Sequence, residues 1–170
     1  RLQVDHAGDA YPPPDPPLRN FSSNKPLRSS KTHVYEGGIR VPALLYWPEQ
    51  LAPLVCEAPL HAVDWLPTLA RLAGGELPKE LEADGQDIWP LLQGQASTDR
   101  ELYWVWGERR NRVALRYGPW KALRDGPQQE WELYNLADDP YEQHNLATAE
   151  PEKLEAMLQR VRTQRLRDAE

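Results

Sequence analysis

The 170 residues amount to one ordinary domain, enough chain to bury a core but short for a complete multi-element enzyme. With 40% hydrophobic residues, seven Trp and seven Tyr, wholesale disorder is excluded, and a formal charge of −6 disfavours nucleic acid or an anionic membrane as a partner for the whole surface. The single cysteine, Cys56, excludes an internal disulfide and any multi-cysteine zinc or iron–sulfur site, and no apolar run approaches the ~20 residues of a bilayer span. Seventeen prolines argue against a long-helix bundle and for many loops, turns and strand ends.

The chain opens at Arg1 with neither a basic leader nor an apolar segment behind it, so no targeting signal is visible, and it reads as a piece of a longer polypeptide. Tyr11 to Pro17 is proline-rich and predicts extended, polyproline-like backbone. Between Leu18 and Arg40 the cations Arg19, Lys25, Arg28, Lys31 and Arg40 stand against one acid, Glu36, in an otherwise acidic chain. Charge alone leaves two readings open, a solvated flank or an anion-binding loop.

The apolar, β-rich run that follows Gly37-Gly38 predicts a buried strand over 42–47, stopped by Pro48. Val63 to Ala73 carries apolar residues at helical spacing, with Asp64 placed to cap, Pro67 tolerable in the first turn and Gly74-Gly75 to end it: a short amphipathic helix. Ile88 to Leu92, closing at Gly94, predicts one or two further helical turns. After residue 100 the period changes. Leu102–Trp106, Arg112–Tyr117, Trp120–Leu123 and Trp131–Asn135 are short β-rich runs separated by Gly107, Gly118-Pro119 and Asp125-Gly126-Pro127, the punctuation of a small antiparallel sheet. Trp104, Trp106, Trp120 and Trp131 are expected to build its packed face. From Pro151 the stripe Leu154, Met157, Leu158, Val161 predicts a terminal amphipathic helix.

His-Glu-x-x-His, Cys-x-x-Cys and Gly-x-Gly-x-x-Gly are all absent, which removes the zincin, zinc-ribbon and dinucleotide readings. Arg28-Ser-Ser-Lys31-Thr32 mimics the end of a phosphate loop without the glycines that let backbone approach phosphate. The four histidines, His6, His33, His61 and His144, form no nucleophile pair that sequence certifies, and His33 stands out only by falling in the cationic loop. What remains is Asn24 to Pro42. There a lysine can set a compact ammonium against an anionic oxygen, a glycine pair lets backbone crowd the same spot, and Glu36 and Arg40 can orient or neutralise neighbours. Such a point charge suits a sulfate or phosphate ester, whose leaving oxygen gains charge in the transition state.

Pro26-Leu27-Arg28, two serines, Lys31, then Glu36-Gly37-Gly38-Ile39-Arg40-Val41-Pro42 resembles the sulfatase family, the formylglycine-dependent sulfuric ester hydrolases of the alkaline-phosphatase-like superfamily. Further stretches are similar to the same family in the same order: Asp64-Trp65-Leu66-Pro67-Thr68, Asp84-Gly85-Gln86-Asp87, Trp120-Lys121, Glu132 to Leu136, and Asp139 to Leu146. The resemblance implies the end of an alkaline-phosphatase-like α/β sandwich over 1–100, a small four-stranded antiparallel β subdomain over 101–146 and a C-terminal helix over 147–170. It implies that Lys31 is the catalytic residue that contacts the sulfate, that His33 and Arg28 bind the substrate with it, and that Glu36 and Arg40 support the loop.

Calcium is the implied metal. Asp5-His6 lies where the family has Asp-Asn; either Asp5 is a ligand and His6 replaces the asparagine, a poor donor for a hard cation, or the true pair lies upstream. Cys56 is followed by Glu57-Ala58-Pro59 and not by x-Pro-x-Arg, so the formylglycine nucleophile is expected upstream, in the missing amino-terminal half. A sulfated small molecule or glycan is the implied substrate, with phosphate, phosphonate and sulfamate esters as chemical neighbours, and a periplasmic, secreted or lysosomal compartment is implied with it. The alternative is a non-catalytic or degenerate sulfatase-like module that binds a sulfated glycan or a partner protein.

Overall fold

A computed structural model describes residues 23–78, 80–95, 99–107 and 111–167. Asp5, His6 and the proline-rich stretch lie outside them. In chain order the elements are α1 (Glu36–Ile39), a 3-10 turn (Ala62–Asp64), α2 (Trp65–Leu72), α3 (Trp89–Leu92), β1 (Glu101–Trp106), β2 (Arg112–Tyr117), β3 (Trp120–Asp125), β4 (Glu132–Asn135) and α4 (Pro151–Arg167). They fall into two compact units, one holding the chain up to Val41 together with Arg100 onward, the other Pro42–Asp99. The loop before Val41 thus belongs with the sheet, a grouping across the expected boundary at residue 100 that only long-range pairing reveals.

In the first unit β1 to β4 form an antiparallel meander in sequence order. Tyr117 pairs with Trp120 across Gly118-Pro119, and Arg112 with Asp125 at the other end of the β2–β3 hairpin. Gly118 has φ 57°, a left-handed conformation that glycine adopts freely. The strand alternation gives the sheet two different faces. One carries Val113, Leu115, Ala122 and Leu133, buried against Met157 and Val161 of α4, with Leu154, Trp120 and Trp131 packed around them. The other carries Ala114, Leu123 and Tyr134, buried with Val34, Tyr35 and Leu136 and flanked by Trp104. The tryptophans therefore do not build one packed face: Trp104 sits on one side, Trp120 and Trp131 on the other, and Trp106 is exposed. The buried sheet positions are filled instead by Val113, Ala114, Leu115, Ala122, Leu123, Leu133 and Tyr134.

In the second unit Pro42–Trp47 is not a buried strand. It makes no strand pairing, and Leu44 is 93% and Tyr46 82% exposed. An apolar β-branched run becomes a strand only against a neighbouring edge that completes its hydrogen-bond ladder, and Pro42 itself offers no donor. Helix α2 lies where expected, and Gly74 closes it at φ 77°. Its apolar residues do not carry its packing, however: Leu66 and Leu69 are exposed, whereas Thr68 and the preceding Asp64 are fully buried. Asp64 accepts from the His61 amide (2.7 Å) and the Gln86 amide (3.1 Å), and Thr68 Oγ1 accepts from the Ile88 amide (3.0 Å) while donating to the Asp64 carbonyl (2.6 Å). A Cβ at Gly85 would fall 2.1 Å from the Val63 carbonyl oxygen, so glycine is required where the 84–88 segment crosses the 3-10 turn.

Candidate functional site

The basic loop lies on the charged side of the sheet. His33 Nδ1 is 2.6 Å from Asp125 Oδ2, and Asp125 Oδ1 accepts the Val34 amide at 3.1 Å. Arg112, the β2 partner of Asp125, donates to the Thr32 carbonyl at 2.8 Å. Lys31 immediately precedes backbone held from the sheet, while its own side chain is exposed and has no ion partner among the described residues. Ser29 and Thr32 take left-handed φ values of 68° and 81°, a conformation costly for residues with a Cβ and sustained here by those bonds.

Arg28 is partly exposed but bonded to the protein. Its guanidinium donates to Tyr134 Oη (2.6 Å), the Glu142 carbonyl (3.0 Å), Glu132 (3.2 Å) and Tyr35 Oη (3.2 Å), and stacks 4.0 Å from the Tyr35 ring centroid. The Tyr35 and Tyr134 hydroxyls are pushed well above their ordinary pKa, chiefly by burial and then by donating to Glu132, so both act here as neutral donors. With its donors directed at protein acceptors, Arg28 ties the loop to β4, whereas Lys25, Lys31 and Arg40 are exposed.

Glu36 lies at the start of α1. Its carboxylate accepts from Lys121 Nζ at 2.8 Å, Lys121 gives a second bond to Glu142 Oε1 at 2.8 Å, and Glu142 Oε2 accepts the Glu36 amide at 2.7 Å. Lys121 and Glu142 are fully buried. Glu142 is held above the usual carboxylate range by burial, an effect the Lys121 ammonium offsets only in part. Glu142 is delivered by the Asp139–Leu146 segment. Asp139 Oδ2 accepts the Gln143 and His144 amides, Glu142 takes φ 56°, and Asn145 Oδ1 accepts the Leu133 amide. Beside this cluster Arg116 is depressed below its ordinary value, chiefly by burial, with Arg40 adding to the effect and Glu36 opposing it. Arg40 itself is exposed, and its amide closes α1 on the Glu36 carbonyl.

The glycine pair is required sterically. A Cβ on Gly37 would lie 2.3 Å from the Arg28 carbonyl oxygen, and one on Gly38 2.1 Å from that of His33. Asp125, Lys121 and Glu142 were not singled out from the sequence. The signal available for Lys121 and Glu142 was the presence of Trp120-Lys121 and Asp139 to Leu146 among the family-like stretches, which marks positions without showing their partners, and Asp125 was read only as turn punctuation.

The basic loop, closed by a glycine pair, is thus fastened onto a helix-backed antiparallel meander in a mixed α/β arrangement. The solved structure of Ps i-CgsB matches the chain with a TM-score of 0.74 at 31% identity, over 84% of this chain and 32% of that one. The chain belongs to the sulfatase family and corresponds to its carboxy-terminal portion: the family model described as N-sulphoglucosamine sulphohydrolase, C-terminal, matches residues 29–169. It is 36% identical to arylsulfatase A of Homo sapiens over 162 residues, 78% of this chain and 32% of the relative. It is 48% identical to steryl-sulfatase of Mus musculus over 79 residues, 46% of this chain and 13% of the relative. The chain thus spans about a third or less of the relatives it matches. The family implies a metal cofactor. Among the described residues no three His, Cys, Asp or Glu side chains are grouped to hold one, and no helix is long and apolar enough to cross a membrane.

Proposed function

We propose that this chain is the carboxy-terminal part of a sulfuric ester hydrolase and supplies the lysine, Lys31, that contacts the sulfate group of the substrate. The observation that carries this reading is the contrast within one loop: Arg28 is tied to the sheet by four hydrogen bonds, whereas Lys31 is exposed immediately before backbone held from the sheet. A compact ammonium on such a loop is placed to meet an anionic oxygen. His33 is the second candidate contact: with Nδ1 directed at Asp125, the Nε2 edge of the ring is left for a ligand. Arg28, Glu36 and Arg40 are assigned to support of the loop.

The nucleophile, a formylglycine, and the calcium ion would belong to the amino-terminal part of the polypeptide, where Cys- or Ser-x-Pro-x-Arg is expected. The described residues do not fit a calcium site, and Asp5 and His6 lie outside them. The contribution assigned to this chain is binding and orientation of the anion. A sulfated glycan is the favoured substrate class, since Ps i-CgsB, which the chain resembles, was also solved in complex with k-i-k-neocarrahexaose. A periplasmic, secreted or lysosomal compartment goes with this reading.

Hydrolysis of p-nitrophenyl sulfate by the longest polypeptide that carries this chain tests the proposal. Lys31→Ala is expected to lower kcat/KM by at least 100-fold with an unchanged Tm, and the 170-residue chain alone is expected to give no turnover. An unchanged rate in Lys31→Ala would remove the sulfate contact, and a polypeptide of 170 residues in its source would favour the non-catalytic binding module instead.

A further inference from the structure

The motifs that mark this chain as a sulfatase tail are far apart in sequence, yet one residue from each of three meets at a single buried point. Glu36 comes from the Glu-Gly-Gly loop, Lys121 from Trp-Lys on β3, and Glu142 from the segment after β4, separated by 85 and 21 residues and joined through one ammonium. We propose that Lys121 and Glu142 are positioning residues for the anion-binding loop: acting through Glu36, they fix the height and orientation at which the sheet presents Lys31. The inference rests on the reading of Lys31 given above.

Three features carry it. The triad is fully closed by charge-assisted bonds: Lys121 bonds both carboxylates, and Glu142 also accepts the backbone amide of Glu36, so it grips the chain itself and not only a side chain. The grip falls at the first residue of α1, immediately before Gly37, whose amide donates to the Arg28 carbonyl at 2.8 Å. A displacement of Glu36 is thereby passed to the backbone three residues before Lys31. Finally, the cluster is buried, and a buried pair that loses one member leaves an uncompensated charge, so intermediate placements of the loop are disfavoured. Hydrophobic packing of Val34 and Tyr35 holds the loop to the sheet without setting its register so sharply, because apolar contacts lack direction.

The test uses the full 170-residue chain, amide hydrogen exchange read by NMR, and a titration with inorganic sulfate followed at the Lys31 and His33 amides. In the unaltered chain the Glu36 amide is expected to exchange as slowly as the central amides of β2 and β3, reporting release only on global unfolding. Exchange more than 100-fold faster than those amides would overturn the proposal without any variant. Glu142→Ala is expected to weaken sulfate binding at least tenfold and to deprotect residues 28–40 while β2 and β3 stay protected. Glu142→Gln, which keeps an acceptor for the Glu36 amide, should restore both to within twofold. Sulfate affinity unchanged in Glu142→Ala would overturn the positioning role. Absence of any sulfate shift in the unaltered chain, or its persistence in Lys31→Ala, would defeat the sulfate-contact reading alone, and the exchange rates would still decide whether the triad holds the loop.

Discussion

His33 and Asp125, 92 residues apart, meet through a 2.6 Å contact between Nδ1 and Oδ2, and the other oxygen of the same carboxylate takes the Val34 amide. One side chain at the end of β3 thus orients an imidazole and anchors the backbone beside it. Arg112 approaches that carboxylate to 3.8 Å from β2, so the hairpin carries the charge that balances it.

Asp125→Ala should release the loop from this end. It leaves the Val34 amide without its acceptor, next to a buried side chain, at a cost of about 1–3 kcal/mol. Urea denaturation is expected to show a lower midpoint with an unchanged slope, and the His33 ring resonances should move toward those of a free histidine. A midpoint equal to that of the unaltered chain would show that the carboxylate anchors nothing.

Gly38→Ala should be more damaging than its size suggests. Its Cβ would meet the His33 carbonyl at 2.1 Å and the Ser30 carbonyl at 2.7 Å, so backbone must move on both sides of Lys31. Overpacking of this kind costs roughly 1–3 kcal/mol or more. A clear fall in Tm is expected, whereas Gly74→Ala, with no heavy atom near the added Cβ, is opposed by its left-handed φ alone. Equal falls in the two variants would contradict the crowding.

Thr68→Val keeps the volume and removes the acceptor of the Ile88 amide in a fully buried position, which is expected to cost about 1–3 kcal/mol. Leu69→Ala, one residue along α2, removes more apolar volume from an exposed site and should change stability by only about 0.5 kcal/mol. The order of these two midpoints in urea is the measurement, and the reverse order would place the apolar face of α2 inside.

Glu142 gives the chain a pH signature. Its carboxyl is raised above the ordinary 4.5 in the folded protein by burial, so between the unfolded and folded values the native state binds the extra proton. Stability from this group is therefore full below that window and is lost as pH rises through it. Because other carboxylates titrate nearby, the readout is a difference: Tm of the unaltered chain minus Tm of Glu142→Gln should fall as pH rises from about 4.5. A difference independent of pH would show that Glu142 ionises as an ordinary carboxylate.

The sheet was legible because its signals are local. Alternating β-rich runs with glycine and proline between them set the four strands to within one or two residues, and the 3.6-residue stripe at Leu154, Met157, Leu158 and Val161 set α4. The loop's chemistry was legible as composition, a cluster of cations before a glycine pair. Pro42–Trp47 was misread because strand propensity states what a segment suits and not whether an edge stands beside it. Helical spacing placed α2 but could not tell which face is covered: Leu66 and Leu69 are exposed and Thr68 is buried.

The sequence by itself determined the order and kind of the elements, the basic loop, the need for small residues at Gly37 and Gly38, and the family likeness of the motifs, all properties of residues near one another along the chain. Only the tertiary structure decided that Arg28 bonds to the sheet while Lys31 has no such partner, and that His33 meets Asp125. It also decided that Glu36, Lys121 and Glu142 share one buried ammonium. Charge complementarity between residues 85 to 106 positions apart admits many pairings in a linear chain, and the choice among them is made by which strand register and which burial leave each charge a partner.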